Sequence, residues 1–174
     1  MKKNIVLVGL MGAGKSRVGR ELGELLQIPF IDSDYEIEKA AGCSISDIFE
    51  VYGERGFRDG EKKVIARLLQ EEGPMVLATG GGAFMNTGIR SFIKQNAVSV
   101  WLEADLDLLV ERTSRTSHRP LLQTGDPREI LSRLMKERYP IYKTADISIE
   151  SIDLPPGETA KKIAKALTAY LEKE

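Results

Sequence analysis

Residues Gly9-Leu10-Met11-Gly12-Ala13-Gly14-Lys15-Ser16 constrain this chain more than any other stretch. They fit the pattern G-x-x-x-x-G-K-[ST], and their context is the one that gives the pattern meaning. Before them runs Ile5-Val6-Leu7-Val8, an unbroken apolar and mostly β-branched run that reads as a strand buried on both faces, as in a parallel sheet. After them, from Ser16 to Gln27, Val18, Leu22, Leu25 and Leu26 recur at helical spacing. Glycines let consecutive backbone N–H groups turn inward and form an anion-binding nest. The helix that starts there adds the positive end of its dipole. Lys15 supplies a point charge for β- and γ-phosphates, and the Ser16 hydroxyl can ligate Mg²⁺. The loop implies a nucleoside triphosphate and magnesium. Alone it does not separate a kinase from an ATPase or a GTPase.

The remaining pattern alternates strands with helices. Short strands are expected at Pro29–Asp32, Pro74–Thr79, Ala97–Leu102 and Asp146–Ile149. Helices are expected at Tyr35–Ala41, at Ser46–Glu72 with a break near Gly53 or Gly56, at Thr87–Lys94, at Asp105–Thr113 and at Pro127–Arg138. Pro155-Pro156-Gly157 opens a last helix with Ala160, Ile163, Ala164, Leu167 and Leu171 on one apolar face. Between Ser114 and Asp126 the chain is too polar for core and reads as a mobile surface loop. This order predicts one α/β sandwich domain around a parallel sheet, and 174 residues suffice for one well-filled core.

Bulk properties narrow the functions. The net charge of −1 gives no global attraction to nucleic acid or an anionic membrane, so any bound anion is held by a local site. One cysteine, Cys43, excludes an intrachain disulfide, and one histidine, His118, leaves a zinc site without soft ligands. The apolar run at the N-terminus is too short for a signal segment or a membrane span, so a cytoplasmic protein is expected. Cys43 reads as a structural or incidental thiol, Trp101 as a core residue of its strand, and His118 as an exposed loop residue without chemistry.

Asp32 and Asp34 end the second strand. If strand geometry continues, both side chains point to the edge where open α/β sheets bind ligands. Asp32 then suits Mg²⁺, directly or through water, and Asp34 suits a substrate hydroxyl. The alternative is that either caps the next helix. Strand three ends in Ala78-Thr79-Gly80 without the acidic magnesium ligand found there in many phosphate-loop proteins, which moves that role to Asp32. Gly80-Gly81-Gly82 form a second glycine-rich turn at the same edge, either a close approach for ligand or a plain tight turn. Arg58 and Arg138 suit bidentate capture of a carboxylate. Arg112 and Arg119 flank or lie in the polar segment. Taken singly, each of the four reads as a solvated or ion-paired residue.

Together and in this order, several pieces resemble the shikimate kinases. They are Gly9 to Ser16, Phe30-Ile31-Asp32-Ser33-Asp34, Ile48-Phe49, Gly53-Glu54-Arg55-Gly56-Phe57-Arg58, Ala78-Thr79-Gly80-Gly81-Gly82, Arg119-Pro120-Leu121-Leu122 and Arg138-Tyr139-Pro140-Ile141-Tyr142. The resemblance spans Asn4 to Ile149 and weakens in the last helix. It implies a single domain with a five-stranded parallel sheet between helical layers, of the nucleoside-monophosphate-kinase type. It implies transfer of the γ-phosphoryl group of ATP to the 3-hydroxyl of shikimate, on the route to chorismate and the aromatic amino acids.

By the same resemblance, Asp34, Arg58, Arg138 and the turn Gly80, Gly81 and Gly82 hold shikimate. Arg58 and Arg138 take its carboxylate, while Asp34 takes its hydroxyls and orients the attacking one. Gly12, Ala13, Gly14, Lys15, Ser16 and Arg17 bind ATP. Arg112 lies near the adenine, and a further nucleotide contact falls near Leu154 and Pro155, where the match is poor. Arg119 reaches the ATP phosphates from a lid at about 114–126, and Lys15, Asp34 and Arg119 are the catalytic set. Ser16 and Asp32 hold Mg²⁺. One departure is Arg17, where the family commonly has threonine. The partners implied are ATP and shikimate, with no nucleic acid and no membrane, and a monomer. The rival readings are another phosphate-loop small-molecule kinase, of gluconate or nucleotide type, and a regulatory nucleotide-binding module. No Asn-Lys-x-Asp guanine motif is present, and Lys15, Asp34 and Arg119, which an inactive homologue would be expected to lose, are all kept.

Overall fold

A computed structural model describes residues 3–71, 73–115 and 125–174. Strands β1 (Asn4–Val8), β2 (Phe30–Asp32), β3 (Val76–Ala78), β4 (Ala97–Glu103) and β5 (Ile147–Glu150) form one sheet in the order β2-β3-β1-β4-β5. Every neighbouring pair is parallel. Successive side chains of a strand face opposite sides. All five residues of β1 are buried, so helices must cover both faces of the sheet. They do so as α1 (Lys15–Leu26), α2 (Ser33–Ala41), α3 (Ile45–Gln70), α4 (Thr87–Asn96), α5 (Leu106–Ser114), α6 (Pro127–Tyr142) and α7 (Pro156–Leu171). The apolar stripe expected on the last helix is real: Ala160, Ile163 and Leu167 are buried, and α7 packs on α1.

Parallel strands put all their C-terminal ends on one edge. The chain first lays β2 and β3 on one side of β1 and then crosses to place β4 on the other. A ligand crevice therefore opens beyond the end of β1. Leu7 pairs with Ala78 and Val8 with Trp101, so Gly9 and Thr79 leave the sheet side by side. The Thr79 N–H and Oγ1 both donate to the Leu7 carbonyl (3.2 and 2.8 Å), which ties the triple-glycine turn to the phosphate loop.

Several expectations are corrected. Helix α2 starts at Ser33 rather than near Tyr35, so strand geometry stops at Asp32. Strand β3 is only Val76–Ala78, shorter than Pro74–Thr79. The break in α3 falls at Gly53, whose φ of 70° and ψ of −179° are open to glycine alone; Gly56 is helical instead. After Gly82 a 3-10 turn spans Ala83–Met85, an element for which the sequence carries no expectation. Helix α6 does not stop at Arg138 but continues through Pro140 to Tyr142. A proline inside a helix costs about 3 kcal/mol, and packing outweighs it here. Tyr142 is fully buried against Trp101 and Phe84, and Tyr139 packs edge-on to Trp101.

Candidate active site

The crevice at the sheet edge is a cleft of about 930 Å³. The loop residues Gly12 to Arg17 form one wall, and Asp32, Asp34, Gly80 and Gly81 form another. Gly12 and Gly14 have φ of 85° and 92°, which L-residues rarely adopt. A Cβ on Gly12 would also meet the Thr113 methyl at 3.0 Å. Lys15 opens α1 and folds its ammonium back over the loop, donating to the Gly9 and Leu10 carbonyls (2.6 and 2.9 Å). Arg112 of α5 braces the loop from outside. Its guanidinium donates to the carbonyls of Gly12 (3.2 Å) and Ala13 (3.1 Å), to Ser151 Oγ (3.2 Å) and to the Ile152 carbonyl (3.3 Å). The buried Ser151 hydroxyl donates in turn to Ala13 O (3.0 Å). Leu154 and Pro155, just past β5, line the same cleft.

The two aspartates divide the roles that were left open. Asp32 is the N-cap of α2: its Oδ1 accepts from the Asp34 N–H (2.9 Å), while its Oδ2 accepts from Ser16 Oγ (2.9 Å). One carboxylate thus both caps the helix and reaches the phosphate loop. Asp34 caps nothing. Its Oδ1 is buried without a hydrogen-bond partner. Burial raises the Asp34 carboxyl above its ordinary value and Asp32 pushes the same way, while Lys15 and Arg58 pull it back.

Behind the glycine turn stand four charged groups, and each glycine leaves room for one or two of them. A Cβ on Gly80 would lie 2.9 Å from Asp34 Oδ1 and 3.3 Å from Glu61 Oε2. On Gly81 it would lie 3.2 Å from Arg138 Nη1, and on Gly82 2.2 Å from Arg58 Nη2. The turn's backbone therefore lies close against these charged side chains of the chain itself. Arg138 Nη1 is likewise buried and unpartnered. Two guanidinium groups and one carboxylate, gathered with donors and acceptors to spare, can bind a small polyhydroxy acid.

Sequence reasoning missed Glu61 and Tyr142. Glu61 is fully buried, and its Oε1 accepts from Arg58 Nη1 at 2.8 Å. Burial raises its carboxyl, and Arg58 opposes the shift. Its signal was present: Glu61 falls within the α3 stripe of Phe57, Val64, Ile65 and Leu68, where an acid is out of place. Tyr142 donates its hydroxyl to the Gly81 carbonyl, and no sequence pattern foretells that contact across 61 positions. Arg119 and most of the expected lid lie outside the described residues.

The model of the family described as "Shikimate kinase" matches residues 11–168. The chain belongs to the shikimate kinase family. Among relatives, the shikimate kinase of Paramagnetospirillum magneticum is 57% identical over 172 residues, covering 99% of this chain and 88% of that one. In structure, the shikimate kinase of Acinetobacter baumannii in complex with shikimate superposes with a TM-score of 0.93 at 43% identity, over 97% of this chain and 94% of that one. The shikimate kinase of Aquifex aeolicus gives 0.83 at 35% identity, over 98% and 99%. As expected for this family, the sheet is five-stranded, parallel and flanked by helices.

Proposed function

We propose that this shikimate kinase family member transfers the γ-phosphoryl group of ATP to the 3-hydroxyl of shikimate, giving shikimate 3-phosphate and ADP on the route to the aromatic amino acids. The observation that carries this reading is the triple-glycine turn, which sets Asp34, Arg58 and Arg138 against its backbone directly beside the phosphate loop.

The loop amides, Lys15 and Ser16 cradle the ATP phosphates, and Arg17 and Arg112 supply positive charge on the nucleotide side. Arg58 and Arg138 take the shikimate carboxylate. Asp34 aligns the attacking hydroxyl and accepts its proton late in the transfer. The transition state is loose, so positioning and charge neutralisation do most of the catalysis. Lys15 and Arg119 stabilise the oxygens of the moving group. Burial matters for Asp34 because a desolvated carboxylate is a stronger proton acceptor than a hydrated one.

Mg²⁺ suits the Ser16 hydroxyl and the Asp32 carboxylate, two hard oxygens 2.9 Å apart at the loop. Among the described residues no cluster of three or more acids, histidines or cysteines could hold a metal unaided, and Mg²⁺ bound with phosphates and water needs none. When bound it neutralises phosphate charge. We assign the protein to the cytoplasm as a monomer; among the described residues no helix is long and apolar enough to cross a membrane.

The test is a coupled ADP-release assay with ATP and Mg²⁺. Turnover is expected with shikimate and not with quinate or gluconate. ADP release at one slow rate with every acid would overturn the assignment of shikimate as acceptor.

A further inference from the structure

Tyr142 lies one helical turn beyond Arg138, so both side chains project from the same face of α6. Its ring is fully buried, stacked on Trp101 (5.9 Å between centroids) and on Phe84 (6.2 Å). Those contacts hold the ring in place. Its hydroxyl is a different matter, because it reaches out of the aromatic cluster to donate to the Gly81 carbonyl. Burial pushes this hydroxyl up to about 12, and the positive charge of Arg138 acts on it in the opposite sense. Gly81 is the glycine whose missing side chain makes room for Arg138 Nη1. One hydroxyl therefore holds the backbone that the Arg138 guanidinium lies against.

We infer that Tyr142 is a positioning residue for the acceptor, its hydroxyl fixing the Gly81 peptide against which the Arg138 guanidinium lies to receive the acceptor carboxylate. This rests on the reading of Arg138 and Gly81 as acceptor ligands. A phenylalanine keeps the ring and its stacking but leaves the Gly81 carbonyl without its donor. The loss is expected on acceptor binding, because Gly81 and Arg138 are the acceptor ligands of that reading, while the ATP phosphates are held by the loop amides, Lys15 and Ser16. Tyr139 supplies a matched control. It sits on the same helix end, packs on the same tryptophan, and donates its hydroxyl to the Ala104 carbonyl, away from the glycine turn.

The experiment compares wild type, Tyr142→Phe and Tyr139→Phe by calorimetric titration with shikimate and with ADP, and by steady-state kinetics. Tyr142→Phe is expected to weaken shikimate binding and raise its KM by roughly tenfold, the scale of one buried hydrogen bond, with ADP affinity unchanged. Tyr139→Phe is expected to change neither. Unaltered shikimate affinity in Tyr142→Phe, or equal losses for shikimate and ADP, would overturn the inference. Failure of the wild type to use shikimate would instead sink the functional reading beneath it. Hydrogen exchange on the wild type needs no variant. Shikimate is expected to slow exchange in peptides covering Gly81 and Tyr142 together, and protection at Gly81 with none at Tyr142 would count against the link.

Discussion

Gly82 and Arg58 share one volume: a Cβ on Gly82 would stand 2.2 Å from Arg58 Nη2, 2.7 Å from its Cζ and 2.8 Å from Nη1. The backbone at Gly82, with φ −92° and ψ −6°, is open to any residue. The glycine is needed for the guanidinium and not for the turn. Gly82→Ala is therefore expected to fold, displace Arg58 and raise the KM for shikimate by about tenfold or more, with the KM for ATP unchanged. Equal increases in both constants would show that the turn itself had moved.

Glu61 holds the other side of Arg58. Removing one partner of a buried ion pair strands the other, at a cost of about 3 kcal/mol. Glu61→Ala is expected to lower stability by that order in urea unfolding, with Arg58 left free to swing. Glu61→Gln keeps a hydrogen-bond acceptor for Arg58 and relieves the desolvated charge that raises this carboxyl. It is expected to cost less stability than alanine while still raising the KM for shikimate. A glutamine variant less stable than the alanine variant would contradict this account of the pair.

These two residues mark where the sequence was legible and where it was not. The phosphate loop, β1 and α1 are local patterns of period and glycine placement, and they stand where they were expected. Arg58 and Arg138 were visible as residue types, but eighty positions separate them, and only the fold gathers them at one turn. Glu61 is three residues from Arg58, a spacing that usually means an exposed pair; only the apolar stripe around it gives away its burial. Pro140 reads as a helix stop, yet α6 passes through it because Tyr139 and Tyr142 are anchored on Trp101. The division of work in Asp32, one oxygen for the helix and one for Ser16, depends on α2 starting directly at Ser33 rather than near Tyr35 as its pattern suggested.

Asp34 should reveal its burden through pH. Its carboxyl is raised in the folded protein, so the fold binds that proton more tightly than the unfolded chain does. The stability this contributes is full below the unfolded value and is lost as pH rises through the folded one. At neutral and higher pH the buried carboxylate is a net cost, kept for function. Asp34→Asn is expected to melt above wild type near about pH 8, with the gap closing toward about pH 4. Its kcat is expected to fall by at least about 100-fold, with ADP binding retained. A variant that melts lower at every pH would refute the stated cost.

Arg17 poses the same kind of trade on the nucleotide side. It sits in the first turn of α1, where the helix dipole disfavours positive charge; burial lowers the Arg112 guanidinium, and the charge of Arg17 pushes it the same way. Among the described residues no carboxylate forms an ion pair with it. A guanidinium placed against two positive fields is costly until an anion arrives, and the phosphates of ATP are that anion. Arg17→Thr, which restores the residue common in the family, is expected to raise the stability of the ligand-free protein by roughly 0.5 kcal/mol. It is expected to weaken ADP binding by a few-fold, about the worth of one exposed charge contact, and to flatten the salt dependence of that binding. Shikimate affinity should not change. The two effects have opposite signs, so a general loss of folding cannot imitate them. Lower stability together with unchanged ADP affinity would mean that Arg17 answers to some neighbour other than the nucleotide.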